Sequence, residues 1–312
     1  MQSAELVAVD VGAARGLLPH WRPLARCANL VMVEPDREAH PEIVRDLERQ
    51  GARGNYQILP VALGAAKENR TLHVWATRTS SSLLPIRPDA FDLCDRSKVE
   101  PIREVQIETT TLEAVLDEAQ IDRVDLIKLD TQGTELEILK ALDEPRRRLL
   151  LSAELEIGMP GAYLGQPHLG TVSDWLDSQG FELFDIVPKR GPLMDKGAGA
   201  YHRIFKTYRN APSLAQRIGE VDAFFFKKPA LVLERDASAV RRLSVAYCLY
   251  GFFAEAYRLI EQAASSKLLA GTDAAALHHT ILAWHRNRAI RRAPFDLAAK
   301  VVQKAEEHFS TR

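Results

Sequence analysis

The sequence contains little cysteine and no excess of either charge. Its 312 residues include three cysteines, Cys27, Cys94 and Cys248, too few and too far apart for a disulfide framework or a standard zinc site. Lysine and arginine number 41 against 42 aspartates and glutamates, a formal net charge of -1. Because a general binder of polyanions needs a basic stripe, this balance argues against nucleic acid as a partner.

Long hydrophobic runs are also missing. The longest apolar stretch, residues 243–254, is interrupted by Ser244 and Gly251 and falls well short of the roughly 20 residues that a membrane-spanning helix needs. The first five residues contain no basic segment, and the apolar run that follows them meets Asp10 at once, unlike a secretory signal. The sequence therefore predicts no transmembrane segment and a cytoplasmic protein.

Short apolar runs alternate with amphipathic stretches in the first half of the chain. The predicted strands cover residues 6–10, 30–34, 56–59, 124–130, 149–156, 181–186 and 221–227. Runs without polar alternation are typical of strands that are buried on both faces of a parallel sheet. They predict an α/β fold, with a doubly wound, mostly parallel sheet of seven strands. Extra extended segments are predicted at residues 71–76 and 102–110, and loops at 77–101 and 187–219.

After Pro229 the pattern changes from strands to helices. Apolar residues recur at helical spacing at Phe253, Ala256, Tyr257 and Ile260. The change predicts two domains, residues 1–229 and an all-helical module of residues 230–312. We expect that module to provide a contact surface for another protein or for a second copy of the chain.

The first predicted strand runs into a glycine-rich turn, DVGAARG at residues 10–16. Gly12 and Gly16 would let the backbone approach a nucleotide closely. The carboxylate of Asp10 would repel the pyrophosphate of a dinucleotide, whereas it would attract the ammonium and sulfonium groups of S-adenosylmethionine. The alternative is that the glycines only shape the turn.

A second acid ends the next predicted strand. Glu34 comes about 20 residues after the turn, where an acidic side chain accepts hydrogen bonds from both hydroxyls of a ribose. Pro35 would hold the exit turn. The alternative is a merely solvated glutamate.

Charged residues interrupt the apolar run at residues 124–130. Lys128 and Asp130 lie two residues apart, so both side chains point to one face of a strand. Burying them costs several kcal/mol unless they are paired or used, which indicates either a structural ion pair or part of a site. Thr131 or Thr134 is predicted to cap the next helix, and Glu135 suits its positive end.

Together these motifs resemble the FkbM-type methyltransferases. DVGAARG, the VEP around Glu34, PVALG at residues 60–64, the serines at 80–82, IKLDTQGTELEIL at 127–139 and the acid Glu154 occur in the family's order. The resemblance covers about residues 6–228. It implies a Rossmann-like class I enzyme that uses S-adenosylmethionine, in a family that mostly O-methylates natural products, sugars and glycans. The chain departs from the pattern at Ala14-Arg15, where the family usually has Asn after the alanine.

The resemblance also implies a role for each matching residue. Asp10, Gly12 and Gly16 would line the methionine and adenosine portions, and Glu34 would hold the ribose. Ala62 and Leu63 would contact the adenine, largely through backbone. Ser81 or Ser82 would close over the cofactor, and Asp130 would lie beside the transferring methyl. The implied cofactor contacts are Asp10, Gly12, Gly16, Glu34, Pro35, Ala62, Leu63, Ser81, Ser82 and Asp130.

Methylation of a hydroxyl requires a group that takes its proton. Asp130 and Glu154 lie at the carboxyl ends of neighbouring predicted strands, where ligands bind in open α/β sheets, and they are the predicted catalytic residues. Glu156 and His168 are further candidates. Asp130 and Glu154 could instead hold Mg²⁺, but no second aspartate directly follows Asp130, and we predict no metal.

The predicted function is therefore S-adenosylmethionine-dependent O-methylation of a small-molecule or glycan acceptor. Two other classes stay open at this point. One is a nicotinamide-dependent oxidoreductase, against which Asp10 and the missing third glycine of the dinucleotide motif argue. The other is a non-catalytic binding or scaffold protein, which the helical module makes conceivable. The sequence does not identify the acceptor.

Overall fold

The computed structural model describes residues 6–75, 81–87, 101–159, 161–190 and 218–286. The chain divides into two compact units, Met1–Lys228 and Pro229–Arg312. The first unit carries every residue that the sequence associates with a cofactor.

Ten strands form two sheets in the first unit. They are β1 (Leu6–Val11), β2 (Ala28–Val33), β3 (Tyr56–Leu59), β4 (Ala62–Leu63), β5 (Glu68–Val74), β6 (Arg103–Thr110), β7 (Leu126–Leu129), β8 (Ser152–Gly158), β9 (Phe181–Arg190) and β10 (Ile218–Lys227). The main sheet has seven strands in the order β3-β2-β1-β7-β8-β10-β9, and only β10 runs antiparallel to its neighbours. The predicted doubly wound, mostly parallel sheet is confirmed.

The two extra extended segments form a separate small sheet. Its order is β4-β6-β5, with β5 antiparallel and β4 parallel to β6. This sheet includes the PVALG segment, since Ala62 and Leu63 pair with Thr109 and Thr110. Most of the two predicted loops, residues 77–101 and 187–219, lies outside the described residues.

Helices flank the main sheet. They are α1 (His40–Gln50), α2 (Leu112–Glu118), α3 (Glu135–Lys140), α4 (Glu144–Leu149) and α5 (Leu169–Ser178), with a 3₁₀ helix at Arg22–Arg26. Strand and helix side chains such as Val9, Ile127, Leu155, Leu116 and Leu139 are all fully buried in one core. Burial of each such side chain contributes about 1.5–3 kcal/mol.

Several boundaries differ from the predictions for identifiable reasons. β7 begins at Leu126, and the buried carboxylate of Asp125, just before it, accepts the N–H of Val7 at 2.9 Å. Helix α4 extends to Leu149, so β8 begins three residues after the predicted start. β9 and β10 extend beyond the predicted ends because they pair with each other as far as Arg190 and Ile218.

The predicted threonine cap of α3 is wrong. Thr134 occupies the N-cap position without a capping bond from its side chain. Instead, the Glu135 carboxylate accepts the N–H groups of Thr131 and Gly133, at 2.9 and 3.0 Å. The turn at Gln132 and Gly133 has positive φ at both residues, which directs these N–H groups toward Glu135.

The second unit is helical, as predicted. Its helices are α6 (Pro229–Leu233), α7 (Ala237–Tyr250) and α8 (Phe253–Ser265), and residues 271–286 are helical as well. The Asp236 carboxylate caps α7 by accepting the N–H of Ala239 at 2.7 Å. No helix within the described ranges of either unit has the length and apolarity that a membrane crossing requires.

Candidate active site

Three charged side chains lie side by side on one face of the main sheet. Asp10 on β1, Lys128 on β7 and Glu154 on β8 are direct register partners, so their side chains share a face. The Nζ of Lys128 donates to Oδ1 of Asp10 at 3.0 Å. It also lies 3.9 Å from Oδ2 of Asp130, just after β7. Lys128 is therefore ion-paired, mainly with Asp10.

Burial controls the charge states of this pair. Burial raises the pKa of Asp10 to about 6, although the charge of Lys128 opposes the shift. Burial alone would lower the pKa of Lys128, but the negative charges of Asp10 and Asp130 raise it above its ordinary value. Both groups are therefore charged at neutral pH. Loss of one partner from an ion pair this deep typically costs about 3–5 kcal/mol.

One oxygen of Asp10 has no protein partner. Oδ1 accepts from Lys128, whereas the buried Oδ2 has no hydrogen-bond partner among the described residues. Buried polar atoms in native proteins almost always have partners, so this oxygen indicates a ligand that donates to it or carries positive charge.

The glycine-rich turn after β1 packs directly on the end of β7. Gly12 has a φ of +79°, and a Cβ there would lie 2.0 Å from the carbonyl oxygen of Asp130. The N–H groups of Gly12 and Ala13 donate to the carbonyl of Val33, at 3.0 and 3.3 Å, and the N–H of Asp130 donates to that of Val11 at 3.1 Å. The ends of β1, β2 and β7 are thereby held together, and only glycine fits at position 12.

Glu34 is fixed to the same turn. Its buried carboxylate accepts the N–H of Asp36 at 2.8 Å and also a backbone N–H from Ala14. Burial raises the pKa of Glu34. Pro35, which is exposed, follows as the first residue of the exit turn. The acid at the tip of β2 is therefore held in place by the protein itself.

The remaining glycine and the small sheet lie around this turn. Gly16 has a φ of +70°, and a Cβ there would lie 2.8 Å from Oδ2 of Asp46. The Leu63 side chain belongs to the core, so that residue can offer a ligand only its backbone. Ala62 is partly exposed.

The two serines contact protein groups in the loop after β5. The Ser81 hydroxyl accepts the N–H of Trp75 at 3.3 Å. The buried Ser82 hydroxyl donates to the carbonyl of Gln132 at 2.7 Å and accepts the N–H of Leu84 at 3.0 Å. Ser82 therefore ties this loop to the turn after β7.

Gln132 is the centre of a polar network beyond β7. It is not a glycine, yet its φ is +60°. Its Nε2 donates to Asp130 at 3.0 Å and to Glu156 at 2.7 Å, and its Oε1 accepts from the hydroxyl of Tyr163 at 2.9 Å. A strained backbone held by this many contacts is typical of functional sites.

The two carboxyl groups of this network have pKa values shifted in opposite directions. Burial raises the pKa of Glu156 to about 9, and its hydrogen bond with Asp130 adds to the shift. Burial opposes ionisation of Asp130, but the hydrogen bond from Glu156 and the charge of Lys128 lower its pKa below the ordinary value. Lys189 on β9 contacts Glu156 and lies 2.7 Å from Asp222 on β10.

Glu154 faces a residue that sequence reasoning missed. The Nε2 of His20 lies 2.9 Å from Oε2 of Glu154. The Glu154 side chain is 3% exposed and that of His20 is 21% exposed. His20 lies in the segment after the glycine turn, and no pattern in the sequence indicated that it meets β8. Lys189 was also missed, because the predicted strand ended before it.

The other predicted site residues have simpler surroundings. His168 precedes α5, where its carbonyl accepts the N–H of Val172 at 3.1 Å. Within the part of the chain that the structure describes, no three histidine, cysteine, aspartate or glutamate side chains are grouped as a metal site requires.

The family follows from a sequence comparison. The model of the "Methyltransferase FkbM domain" matches residues 10–183, more than half of the chain. The chain belongs to the FkbM methyltransferase family. It is an S-adenosylmethionine-dependent methyltransferase, and the resemblance on which the sequence analysis depended is confirmed.

Solved structures match the chain at low identity. Precorrin 8W decarboxylase from Methanobacterium thermoautotrophicum is 14% identical, with 71% of this chain and 81% of that chain covered, at a TM-score of 0.34. An rRNA methylase from Streptococcus thermophilus is 11% identical over 72% and 89%, at 0.32. Precorrin-6y C5,15-methyltransferase from Geobacter metallireducens is 13% identical over 72% and 80%, at 0.26. No curated protein matches the chain.

The site fits the family's cofactor. The partnerless oxygen of Asp10 suits the ammonium or sulfonium of S-adenosylmethionine, because both carry positive charge. The turn at Gly12, which has a positive φ, and the acid Glu34 lie at the ends of neighbouring strands, where nucleosides bind in open α/β sheets.

Proposed function

We propose that this enzyme methylates a hydroxyl oxygen of a sugar, a glycan or a secondary metabolite. One observation carries the proposal: Asp10 on β1 and Glu154 on β8 are the register partners of Lys128 on β7 and share its face of the sheet, and Asp130 follows directly after β7. A hydroxyl oxygen must lose its proton as it is methylated, so such an acceptor needs proton-accepting groups beside the cofactor.

S-adenosylmethionine, when bound, supplies a methyl group on a positively charged sulfur. Asp10, Gly12 and Gly16 would hold its methionine and adenosine portions, and Glu34 with Pro35 would hold the ribose. These assignments are supported by the orphaned oxygen of Asp10 and by the fixed position of the Glu34 carboxylate.

The adenine and the loop above it have further proposed contacts. The backbone of Ala62 and Leu63 would contact the adenine, in keeping with the burial of the Leu63 side chain. Ser81 would close over the cofactor, and Ser82 would hold that loop through its bond to Gln132.

The carboxylate side of the site would orient the acceptor and assist the removal of its proton. Asp130 is held by Gln132, so its carboxylate has a defined direction toward an acceptor hydroxyl. Glu154 lies on the next strand, within the same row as Asp10. Fixing the acceptor against the methyl supplies much of the rate, because two reactants then behave as one.

The same charges support a non-nucleic-acid acceptor. Asp222 on β10 is the register partner of Glu156, two residues from Glu154 on β8, whereas Lys128 and Lys189 are engaged with carboxylates. A phosphate backbone requires unneutralised basic groups, and the carboxylates would repel it.

Calorimetry and an acceptor panel test the proposal. We expect binding of S-adenosylmethionine and no binding of NAD. We then expect S-adenosylhomocysteine to form with at least one hydroxylated sugar, glycan or metabolite, with and without EDTA. Turnover on RNA alone, or cofactor binding without turnover on any acceptor, would contradict the proposal. Loss of turnover in EDTA would contradict its metal independence.

The domain boundary gives a separate prediction. We propose that residues 1–229 fold without the helical module and bind S-adenosylmethionine with the affinity of the full chain, within about threefold. Calorimetry on the fragment measures this. We also propose that the module provides a contact surface for a second copy of the chain or for another protein. An insoluble or molten fragment would show instead that the module is part of the folded core.

A further inference from the structure

The contact between His20 and Glu154 joins a partly accessible imidazole to a buried carboxylate. The Nε2 of His20 lies 2.9 Å from Oε2 of Glu154. The carboxylate is almost fully enclosed, while a fifth of the histidine side chain reaches solvent. The edge of Phe224, the register partner of Glu154 on β10, meets the imidazole at a centroid distance of 6.2 Å and an angle of 76°. The ring is therefore held on two sides.

This arrangement favours a ring that carries its proton on Nε2. A carboxylate oxygen at this distance suits a donating Nε2, which would leave the lone pair of the neutral ring on Nδ1. A proton taken up at Nδ1 creates an imidazolium whose charge the buried carboxylate stabilises. Paired histidine and carboxylate side chains perform this function in many enzymes.

The neighbouring carboxyl groups are less suited to accept a proton. Glu156 is already engaged by Gln132, which donates to it at 2.7 Å, and by Lys189. Asp130 accepts from both Gln132 and Glu156 and interacts with Lys128, and these contacts favour its unprotonated form. The Glu154 side chain is less exposed to solvent than either of these carboxyl groups, and it contacts His20.

We propose that His20 takes the proton of the acceptor hydroxyl during methyl transfer, and that Glu154 is the positioning residue that orients its ring. The proposal rests on the proposed O-methylation. In the step, the acceptor oxygen bonds to the methyl carbon and its proton passes to Nδ1 of His20. The carbon–sulfur bond breaks and its electron pair stays on sulfur. The products are a methyl ether, S-adenosylhomocysteine and an imidazolium beside Glu154.

The first test compares two histidine variants. His20→Gln keeps an amide N–H for Glu154 but cannot accept a proton. We expect kcat on a hydroxyl acceptor to fall about 10²–10⁴-fold, with the Kd for S-adenosylmethionine and the acceptor KM within about threefold of their original values. The matched control is His73→Gln, since His73 also contacts a glutamate, Glu104 at 3.1 Å, but on the small sheet. That variant should keep kcat within twofold.

Two readouts separate proton acceptance from a structural role. In His20→Ala, added imidazole should restore turnover at least tenfold, because it can occupy the space and accept the proton. Long-range proton–nitrogen NMR spectra of the unaltered protein should show His20 protonated at Nε2. In Glu154→Gln this preference should weaken, and kcat should fall. The NMR experiment needs no variant that must fold.

Several outcomes would overturn the proposal. Unchanged kcat in His20→Gln, an Nδ1-protonated tautomer in the unaltered protein, or weaker cofactor binding with normal turnover at saturation would each do so. Those results with an active unaltered enzyme would leave the proposed O-methylation intact. An unaltered enzyme that binds S-adenosylmethionine but turns over no hydroxyl acceptor would overturn both.

Discussion

The two halves of the main sheet build their parts of the site by different means. In the half formed by β3, β2 and β1, backbone groups and glycine do most of the positioning, as at Gly12 and around Glu34. In the half formed by β7, β8, β10 and β9, side chains hold the carboxylates in place: His20 contacts Glu154, and Gln132 and Lys189 contact Glu156. The first half is thus built from main chain and the second from side-chain pairs.

This difference determines which functional residues can be identified from the sequence. The cofactor half depends on residues close together in sequence, such as Glu34 and Asp36. The other half depends on partners far apart, such as His20 and Glu154, which are separated by 134 residues. Local contacts leave motifs, whereas distant ones leave only isolated charged residues.

The largest effect should come from breaking the backbone contact between the halves. Gly12→Ala would force a Cβ to 2.0 Å from the carbonyl oxygen of Asp130. We expect a loss of at least about 3 kcal/mol, a fall of roughly 10 °C in Tm and no measurable binding of S-adenosylmethionine.

Gly54→Ala is the matched control for this prediction. Gly54 has the same φ of +79°, but a Cβ there meets nothing within 4 Å. Only the left-handed backbone is then penalised, by about 1–2 kcal/mol. Equal losses in the two variants, measured by thermal unfolding, would show that the contact with Asp130 does not matter.

Within the cofactor half, Glu34→Gln should weaken cofactor binding without slowing the methyl-transfer step. A ribose contact is the same in the ground and transition states, so its loss raises KM for the cofactor and leaves kcat nearly unchanged. We expect an affinity loss of about 10–100-fold, since hydrogen bonds to a charged group contribute about 1.5–3 kcal/mol each. Calorimetry and saturation kinetics measure both quantities. A matching fall in kcat at saturation would place Glu34 in the chemical step.

A smaller effect, which differs between two ligands, is expected at Asp10, which pairs with Lys128 across the boundary between the two halves. Asp10→Asn keeps an oxygen for Lys128 but removes the negative charge, so S-adenosylmethionine should lose about three- to tenfold more affinity than the neutral-sulfur product S-adenosylhomocysteine. The two ligands, titrated against one variant, control for altered folding. Equal losses would mean that Asp10 acts through hydrogen bonds or stability alone.

The last prediction concerns the pH dependence of stability in the side-chain half. Burial raises the pKa of Glu156 from 4.5 to about 9, so between these values the folded state keeps a proton that the unfolded state releases. Through Glu156, stability is therefore fully present at low pH and falls as pH rises through this window. In Glu156→Gln, Tm should fall less steeply between about pH 5 and 9, whereas Glu118→Gln, at an exposed position, should follow the unaltered protein. Identical slopes in all three would refute the assignment.

Much of the fold and of the cofactor half could be predicted from the sequence. The apolar runs located the strands of the main sheet, since strands buried on both faces must be apolar along their length. The turn at Gly12 and the acid Glu34 were visible because their conformation and spacing are set by nearby residues. The same motifs identify the family.

The tertiary structure alone decided the partners on the other side. From the sequence, Lys128 could belong either to a structural ion pair or to a functional site. The register of β1 against β7 makes Asp10 its main partner. The encounter of His20 with Glu154 and the contact of Lys189 with Glu156 depend on how distant segments pack. A strand's apolar pattern fixes which face is buried, but it does not specify which distant charged side chain will be brought into contact with it, because that follows from register and packing.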